Sequence, residues 1–322
     1  MFKKLLVVGL VGTVGVVAVN AKTLRLSTYV NQVDIRYKGF EHLAKLVEQK
    51  TNGDLKIKIY GSSTLHGWSE GVDSVLGGVT DISWLPSDKR LKCQRVTALY
   101  PAVVDFDKQV EVDAAYTKLL EPELSKRNLK VLFNSNYSYD QEWWFKEPTK
   151  ELTKLNGKQV RSPYPLISEM IRQWGGNPVF ISPKEVFQSA ERGVVDGVSM
   201  GVATYSSWKL WSVMPHMINA SLFYGNSQYV INKGVFENLS PANQKILLES
   251  AKETEIWLKP RYEAWVNERV GKAVMEGGGS AKSLNKEERL EIVKNIQAVW
   301  DKTVQKECGN ELASKIKELV SQ

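Results

Sequence analysis

Arg161 stands at the end of a short predicted strand, Lys158–Arg161, and is followed by the turn Ser162–Pro165. Two prolines in that turn fix the backbone and exclude further strand pairing. In open α/β sheets, ligands bind at the edge where parallel strands end. A guanidinium at that edge matches a carboxylate by two parallel hydrogen bonds. We therefore predict that Arg161 binds the carboxylate of a small ligand.

Aromatic side chains gather at predicted loops and strand ends. Those expected to line a ligand cleft are Tyr29, Trp68, Trp84, Trp143, Tyr205 and Trp208. Such walls suit a flat aromatic acid by stacking, or a zwitterion by cation–π attraction of about 0.5–2 kcal/mol per ring. Asp140 and Glu142 would then face the cationic end of a zwitterion, unless they are simply solvated. Tryptophans are more often found in cores than in sites, so each ring alone also fits a buried position.

Helices and strands alternate in the first part of the chain. The predicted order is strand Lys22–Thr28, helix Arg36–Lys50, strand Leu55–Tyr60, helix Ser69–Leu76 and strand Thr80–Leu85. The stretch Leu155–Gly197 shows the same alternation. This order indicates an α/β fold with mostly parallel sheets.

A short motif occurs once in each of these two stretches. Glu70-x-x-x-Ser74-x-x-x-Gly78-Val79-x-Asp81 matches Glu185-x-x-x-Ser189-x-x-x-Gly193-Val194-x-Asp196 without a gap. The match suggests two lobes built on one plan. A helix followed by glycine and valine is also common in α/β proteins generally. The match therefore also fits this common pattern without any repeat of a lobe.

The last part of the chain is predicted to be helical. A helix of about 35 residues begins at Ser240-Pro241, and Pro260 should kink it. At 1.5 Å per residue it would be about 50 Å long, enough to span two lobes. Asn285 should cap the next helix. Before this region, Trp208–Trp211 is predicted to continue a helix, and Ser227–Ile231 to form a strand that returns to the first lobe.

Composition limits the class of protein. The 322 residues are 43% hydrophobic and 25% charged, enough for two ordinary folded domains. Residues 1–21 have a positive start, an apolar run and small residues before Lys22, which indicates a secretory signal peptide and export. The net charge of +7 falls to +5 without Lys3 and Lys4. No basic block with interleaved aromatic residues is present, so nucleic-acid binding is not expected.

Neither metal nor catalytic motifs stand out. The two cysteines, Cys93 and Cys308, are far apart in sequence, and whether they form a disulfide stays open. Three isolated histidines give no metal-ligand spacing, so we expect no metal and no cofactor. The sequence contains no Gly-x-Ser-x-Gly motif and no Cys/His pair, so its motifs do not support an enzyme.

Several motifs occur in an order that is typical of one family. They are Lys38-Gly39-Phe40-Glu41, Gly61-Ser62-Ser63-x-Leu65, Leu155-x-Gly157-Lys158-x-Val160-Arg161, Gly175-Gly176-Asn177-Pro178, Glu185-Val186-Phe187, Gly193-Val194-Val195-Asp196-Gly197 and Leu239-Ser240-Pro241-x-x-Gln244-Lys245. With them, the chain resembles the periplasmic solute-binding proteins of tripartite ATP-independent periplasmic (TRAP) transporters, of the dicarboxylate-binding (DctP) type. The resemblance covers nearly all of 22–322.

This resemblance implies an α/β, two-lobe periplasmic-binding-protein fold (type II-like), with lobes joined by crossing strands and a long kinked helix. The first lobe would contain 22–138 and about 226–262, and the second 139–225 and about 263–322. The resemblance implies that the protein closes on a small organic acid held by Arg161 and passes it to a TRAP permease in the membrane. We expect a periplasmic monomer.

Some positions depart from the family pattern. Gln141 stands where many members have a second arginine, about twenty residues before Arg161. Members with glutamine there often bind 2-oxo or hydroxy acids beside a metal ion, but the stretch after Gly197 lacks their carboxylate. Met200 replaces a usual asparagine and Pro183 a usual phenylalanine. These differences argue against the metal-assisted subgroup and a sialic-acid type of pocket. All three residues are expected ligand contacts.

The favoured ligands are an aromatic acid or a zwitterion such as a betaine or an ectoine-like compound. Two other functions stay open. The protein would bind the same solute if it reported to a sensor kinase instead of a permease. A periplasmic enzyme is a further alternative, which turnover of a bound solute would support.

Overall fold

The computed structural model describes residues 21–85, 88, 90–91, 93, 109–135, 141–222 and 227–320. Residues 1–20 of the expected signal peptide and Asp140 lie outside this part of the chain. Within it, no helix combines the length and the apolar character that crossing a membrane requires.

Strands and helices alternate in the two stretches for which the sequence predicts it, β1 to β3 and β6 to β8. The strands are β1 (Lys22–Ser27), β2 (Leu55–Tyr60), β3 (Ile82–Trp84), β4 (Leu129–Asn134), β5 (Gln141–Phe145), β6 (Gln159–Ser162), β7 (Asn177–Phe180), β8 (Gly197–Gly201), β9 (His216–Asn219), β10 (Gln228–Asn232) and β11 (Ser280–Ser283). The helices are α1 (Ile35–Lys50), α2 (Gly71–Leu76), α3 (Gln109–Lys126), α4 (Pro165–Gln173), α5 (Pro183–Glu191), α6 (Val202–Ser207), α7 (Lys233–Glu237), α8 (Pro241–Gly277), α9 (Lys286–Cys308) and α10 (Asn310–Val320).

Two sheets divide the molecule into two lobes. The first sheet has the order β2-β1-β3-β10-β4, and we call the part built on it the first lobe. The second sheet has the order β11-β9-β5-β8-β6-β7, and its surroundings form the second lobe. The chain crosses between sheets after β4 and returns at β10. The strand predicted at Ser227–Ile231 therefore does rejoin the first sheet.

Each sheet contains parallel strands at the position where its βαβ units meet. In the first lobe, β1 pairs in parallel with β2 and β3. In the second lobe, β6 pairs in parallel with β7 and β8. The returning strands are antiparallel, because β10 runs against β3 and β4 and β5 runs against β8 and β9. The carboxyl ends of β1, β6 and β8 thus present loops at the sheet edges where ligands bind in open α/β folds.

Local sequence explains these elements. β2 alternates buried Leu55 and Ile57 with exposed lysines, so one face packs on the core. α1 buries Phe40, Leu43 and Val47 on one face. Asp34 caps its start and accepts the backbone N–H of Arg36.

Helix α8 connects the lobes. It runs for 37 residues through Pro260 without ending there, and it packs against α1 in the first lobe and α6 in the second. Its Leu258 approaches Gly39 so closely that a Cβ there would lie 2.7 Å from the leucine Cδ2. Gly39 therefore permits α1 to lie directly on α8. The helix ends at Gly278, whose φ of 65° is the left-handed conformation that glycine adopts without strain.

The C-terminal helices contact both lobes. α9 begins with the expected capping box of Asn285 and Glu288 and packs on α4. α10 packs on α9 and on α3. Cys308 is disulfide-bonded to Cys93, which settles the pairing that the sequence left open. The lobe limits expected from the sequence stay a prediction.

One local prediction is wrong, and two strands are missing from the predicted elements. Trp208–Trp211 does not continue a helix: α6 ends at Ser207, Lys209 has a left-handed φ of 55°, and only a short 3-10 turn follows at Leu210–Ser212. The strands β9 and β11 were not predicted. Each is four residues long, too short for a clear alternating pattern, and they pair with each other in parallel.

Candidate functional site

A small cavity lies between the lobes at the carboxyl ends of β1, β6 and β8; we call it the cleft. Six residues that the sequence predicted for the site line it: Tyr29, Trp68, Gln141, Arg161, Pro183 and Met200. Six further lining residues were not predicted: Arg36, Pro163, Tyr164, Gly201, Thr204 and Ser227. Its accessible volume is about 40 Å³, which is small beside the roughly 300–1,000 Å³ of ordinary ligand pockets.

Arg161 lies on β6, between β7 and β8, with only 2% of its surface exposed. Its Nε donates to the carbonyl oxygen of Ile181 at 2.9 Å, and Nη1 donates to that of Ser199 at 2.8 Å. These two carbonyls hold the guanidinium rigidly. No carboxylate in the described part of the chain forms an ion pair with it.

Burial therefore destabilises the charged form of the Arg161 guanidinium. Burial lowers the pKa of this guanidinium to about 10, because the charged form has lost water and no described residue supplies an anion. A buried cation without a partner is stabilised most by an anion that arrives from outside. Geometry and charge both make Arg161 suited to bind a carboxylate.

Arg36 is a second buried arginine at the cleft, and it is fully paired. Its Nε and Nη2 donate to the two carboxylate oxygens of Asp34 at 2.9 and 2.6 Å. Burial alone would lower the pKa of Arg36, but the Asp34 carboxylate, together with Tyr29 and Tyr262, raises that pKa well above its usual range. Asp34 is itself completely buried, so the pair is isolated from solvent.

The Asp34–Arg36 pair also contacts the second lobe. Arg36 Nη2 donates to the hydroxyl of Thr204 at 3.0 Å, and Nη1 donates to the hydroxyl of Tyr29 at 2.8 Å. Ser207 Oγ donates to Asp34 at 3.3 Å. These bonds fix the loop after β1 against α6 across the cleft.

Two aromatic rings, Tyr29 and Trp68, line the first-lobe wall, and a third, Trp84, packs against both. Tyr29 meets Trp68 edge-on with ring centroids 4.6 Å apart, and meets Trp84 edge-on at 5.3 Å. Trp68 and Trp84 are 4.7 Å apart. Trp84 does not line the cavity itself but supports the two rings that do.

The second-lobe wall is polar near Arg161 and apolar elsewhere. Gln141 Nε2 donates to Ser199 Oγ at 2.9 Å, which fixes the amide beside the carbonyl that holds Arg161. Met200 follows on β8 and is 2% exposed, and Pro183 opens α5. This side of the cleft can thus offer an amide and apolar surface to a ligand.

Besides Trp84, three predicted site residues lie away from the cleft lining. Trp143 is completely buried and packs edge-on against Trp174 at 5.2 Å. Tyr205 stacks on Trp144 and donates its hydroxyl to the carbonyl oxygen of Met214 at 2.7 Å. Trp208 packs against the core of the second lobe. The structure brings these three into cores instead of the cleft.

Glu142 was expected to face a cationic ligand group, yet its carboxylate accepts the backbone N–H groups of Ala220 at 2.6 Å and Ser221 at 3.1 Å. It is buried in the second lobe and does not line the cleft. Among the residues that the structure describes, no group of three or more His, Cys, Asp or Glu is arranged to hold a metal ion.

Among the cleft residues that were not predicted, Arg36 has a sequence context that indicates a ligand site. It follows Asp34 by two positions at a helix start, after the carboxyl end of β1, where a ligand site is expected. Pro163 and Tyr164 follow Arg161 directly in the turn after β6. Thr204 has no local signal, because its partner is 168 positions away.

Two lobes that close around a buried arginine and aromatic rings define a solute receptor of the binding-protein class. The model of one family, DctP, described as "Bacterial extracellular solute-binding protein, family 7", matches residues 26–307. The chain belongs to this family, the solute-binding proteins of TRAP transporters, which confirms the resemblance seen in the sequence. Members are receptors outside the cytoplasm and not enzymes.

Curated relatives are identical to this chain at about a quarter of the aligned residues. The 2,3-diketo-L-gulonate-binding periplasmic protein YiaO of Escherichia coli is 25% identical over 243 residues, which is 72% of this chain and 73% of YiaO. The C4-dicarboxylate-binding protein DctB of Bacillus subtilis is 23% identical over 264 residues, 80% of this chain and 75% of DctB.

Solved structures confirm the two-lobe fold. A TRAP solute-binding protein from Desulfovibrio salexigens with bound orotic acid has a TM-score of 0.84 at 18% identity, covering 93% of this chain and 98% of that one. DctP7 of Bordetella pertussis, which binds pyroglutamic acid, has a TM-score of 0.81 at 21% identity, covering 94% and 100%.

Proposed function

We propose that this protein captures a small carboxylate-bearing solute outside the cytoplasm, after export by its N-terminal signal peptide, and delivers it to a TRAP permease for import. The observation that carries the proposal is Arg161. It is buried, held by two carbonyl groups and without an acidic partner in the described part of the chain. A carboxylate between the lobes would supply the missing negative charge.

The names of similar proteins support an organic acid. Relatives and neighbours bind orotic acid, pyroglutamic acid, galacturonate and 2,3-diketo-L-gulonate, each of which carries an acidic group. The ring cluster of Tyr29, Trp68 and Trp84 favours a flat or ring-shaped solute. On ring contacts alone, an aromatic acid and a zwitterion such as a betaine fit equally.

Calorimetry tests the role of Arg161. A thermal-shift screen of organic acids, sugar acids and betaines first identifies a ligand, since a solute that binds only the folded state raises the melting temperature. We expect Arg161→Met to weaken binding of that ligand about 100-fold or more, because the charge-assisted bond is lost in a buried site. Arg172→Met is the matched control, since Arg172 forms a surface pair with Glu169. Equal affinity of wild type and Arg161→Met would refute the proposal.

Delivery is tested by uptake of the same ligand into vesicles that contain the permease. We expect uptake only when the receptor is added. If the ligand binds tightly yet no TRAP permease takes it up from this receptor, a sensory role becomes the better account.

A further inference from the structure

The hydroxyl groups of Tyr29 and Thr204 have their protons directed by Arg36. A guanidinium can only donate hydrogen bonds. Since Arg36 donates to both hydroxyl oxygens, at 2.8 and 3.0 Å, each oxygen must act as acceptor toward it. Each hydroxyl therefore keeps its own proton for another acceptor.

Neither proton has an acceptor in the described part of the chain. Tyr29 and Thr204 both line the cleft, and the contact with Arg36 is the one side-chain hydrogen bond that the described residues provide to each hydroxyl. Thr204 is 6% exposed and Tyr29 8% exposed, so water reaches these groups poorly. A ligand atom that accepts hydrogen bonds would satisfy both donors.

The charges around the cleft also favour a ligand atom that accepts hydrogen bonds over a cationic group. Arg36 and Arg161 are cationic, and among the described residues the one carboxylate paired with either of them is that of Asp34. Glu142, which a cationic group would need, is held by backbone N–H groups elsewhere. Among the described residues, an ammonium group would therefore meet more positive than negative charge, together with hydroxyl donors.

We propose that Arg36 is a specificity-determining positioning residue: it fixes Tyr29 and Thr204 as donors, so that the cleft selects acids with a second acceptor oxygen over zwitterions. The preferred class is an oxo or hydroxy acid without a cationic group. The inference rests on the proposed function, in which Arg161 binds the carboxylate. It adds which group the rest of the cleft recognises.

Three ring acids provide matched probes. Pyroglutamate has a ring carbonyl, L-proline has an ammonium in the same ring, and cyclopentanecarboxylate has neither group. Orotate, galacturonate and glycine betaine extend the set to other acceptor-bearing acids and to a second zwitterion. Calorimetry gives the affinity of each probe for wild type and variants. We expect at least one acceptor-bearing acid to bind about tenfold or more tightly than either zwitterion.

Variants assign this preference to the two hydroxyls. Tyr29→Phe and Thr204→Val each remove one donor with little change of shape. Each should weaken the best acceptor-bearing acid about three- to tenfold and leave cyclopentanecarboxylate unchanged. Arg36→Lys should reduce the preference as well, because one ammonium cannot reproduce the guanidinium fork. If that variant unfolds, the two hydroxyl variants still decide the question.

Matched controls lie outside the cleft. Tyr37→Phe removes a tyrosine hydroxyl from α1, and Thr254→Val removes a buried hydroxyl on α8 that has no hydrogen-bond partner in the described residues. Both should keep the wild-type preference.

Three results would overturn the inference: tighter binding of proline or betaine than of every acid, an unchanged preference in Tyr29→Phe and Thr204→Val, or no binding by any acceptor-bearing acid. The proposed function is judged separately with Arg161→Met. A zwitterion that binds wild type but not this variant would leave Arg161 as the carboxylate site and reject only the role of Arg36.

Discussion

The two lobes share a scaffold and differ at the cleft. In the first lobe, Asp81 accepts the backbone N–H of Arg25 at 2.7 Å; in the second, Asp196 accepts that of Gln159 at 2.8 Å. Each aspartate follows a helix and a glycine with positive φ, of 71° at Gly78 and 74° at Gly193. The motif repeated in the sequence therefore performs the same structural task twice.

At the cleft, each lobe contributes one buried arginine in a different electrostatic state. Arg36 has a carboxylate two residues away and forms two hydrogen bonds with it. Arg161 is held by carbonyl groups and has no such partner among the described residues. The two arginines thus differ in their partners: a carboxylate neutralises Arg36, whereas Arg161 has no carboxylate partner in the described part of the chain.

The largest expected effect concerns stability of the ligand-free protein. Arg36→Met should cost about 3–5 kcal/mol, because it leaves Asp34 buried without its counter-ion. Arg161→Met should change the unfolding free energy by about 1 kcal/mol or less, since lost hydrogen bonds and relief of an unpaired charge offset each other. Urea unfolding followed by circular dichroism measures both. Similar losses in the two variants would remove the distinction between the arginines.

Removing the disulfide with Cys93→Ser and Cys308→Ser should cost about 2–4 kcal/mol, because the unfolded chain gains freedom. The bond joins Cys93, just beyond β3 of the first lobe, to the end of α9, which packs on α4 of the second. Urea unfolding without reductant is the measurement, with the single Cys93→Ser variant as a second sample. Ligand affinity should stay close to wild type, because neither cysteine lines the cleft. A large affinity loss would mean that the disulfide also positions the cleft.

Alkaline pH should weaken ligand binding through Arg161. Its pKa is lowered to about 10, so the guanidinium loses its charge above that pH while an ordinary arginine keeps it. Affinity for an anion should be flat below about pH 9 and fall by up to tenfold, or about 1.4 kcal/mol, per pH unit above 10. Calorimetry between pH 8 and 11 measures this.

The effect on folding has the opposite sign. The folded state binds fewer protons than the unfolded state between pH 10 and the ordinary arginine pKa, so Arg161's contribution to stability rises with pH in that window.

The affinity measurement has a clear contrary result. Ligand affinity that stays constant up to pH 11 would contradict the lowered pKa of Arg161. The Arg161→Met variant has no titrating group at this position, so its ligand affinity should not fall above pH 10.

The smallest effect tests the shared scaffold. Asp81→Asn should cost about 1–2 kcal/mol and Asp196→Asn about 0.5–1 kcal/mol, since both aspartates hold a backbone N–H. The Asp81→Asn variant should lose more unfolding free energy, because Asp81 also pairs with Arg25, whose Nε lies 3.1 Å away. Thermal unfolding of the two variants gives the comparison. A reversed order would show that the aspartates do not perform equivalent tasks.

The parts predicted from sequence are those encoded locally. The βαβ order follows from hydrophobic periodicity, and the Asn285–Glu288 cap from a four-residue motif. Arg161 could be identified because a strand end fixes its position. Its location at a cleft also needed the family resemblance.

The parts that sequence could not provide depend on distant contacts. Trp84 and Trp143 look alike in the sequence, yet one supports the cleft and the other packs against Trp174. The contact between Arg36 and Thr204 joins residues 168 positions apart in different lobes. The neighbours of Arg36 in the chain indicate its pairing with Asp34, but they do not indicate its contact with Thr204.

The central claim is that the guanidinium of Arg161, which has no carboxylate partner among the described residues, is the carboxylate site. A crystal structure of the complex with the tightest ligand from the screen tests it most directly. The account predicts a ligand carboxylate oxygen about 2.7–2.9 Å from a guanidinium nitrogen of Arg161, with the Asp34–Arg36 pair intact. A carboxylate bound elsewhere, with Arg161 contacting only the carbonyl groups of Ile181 and Ser199, would contradict it.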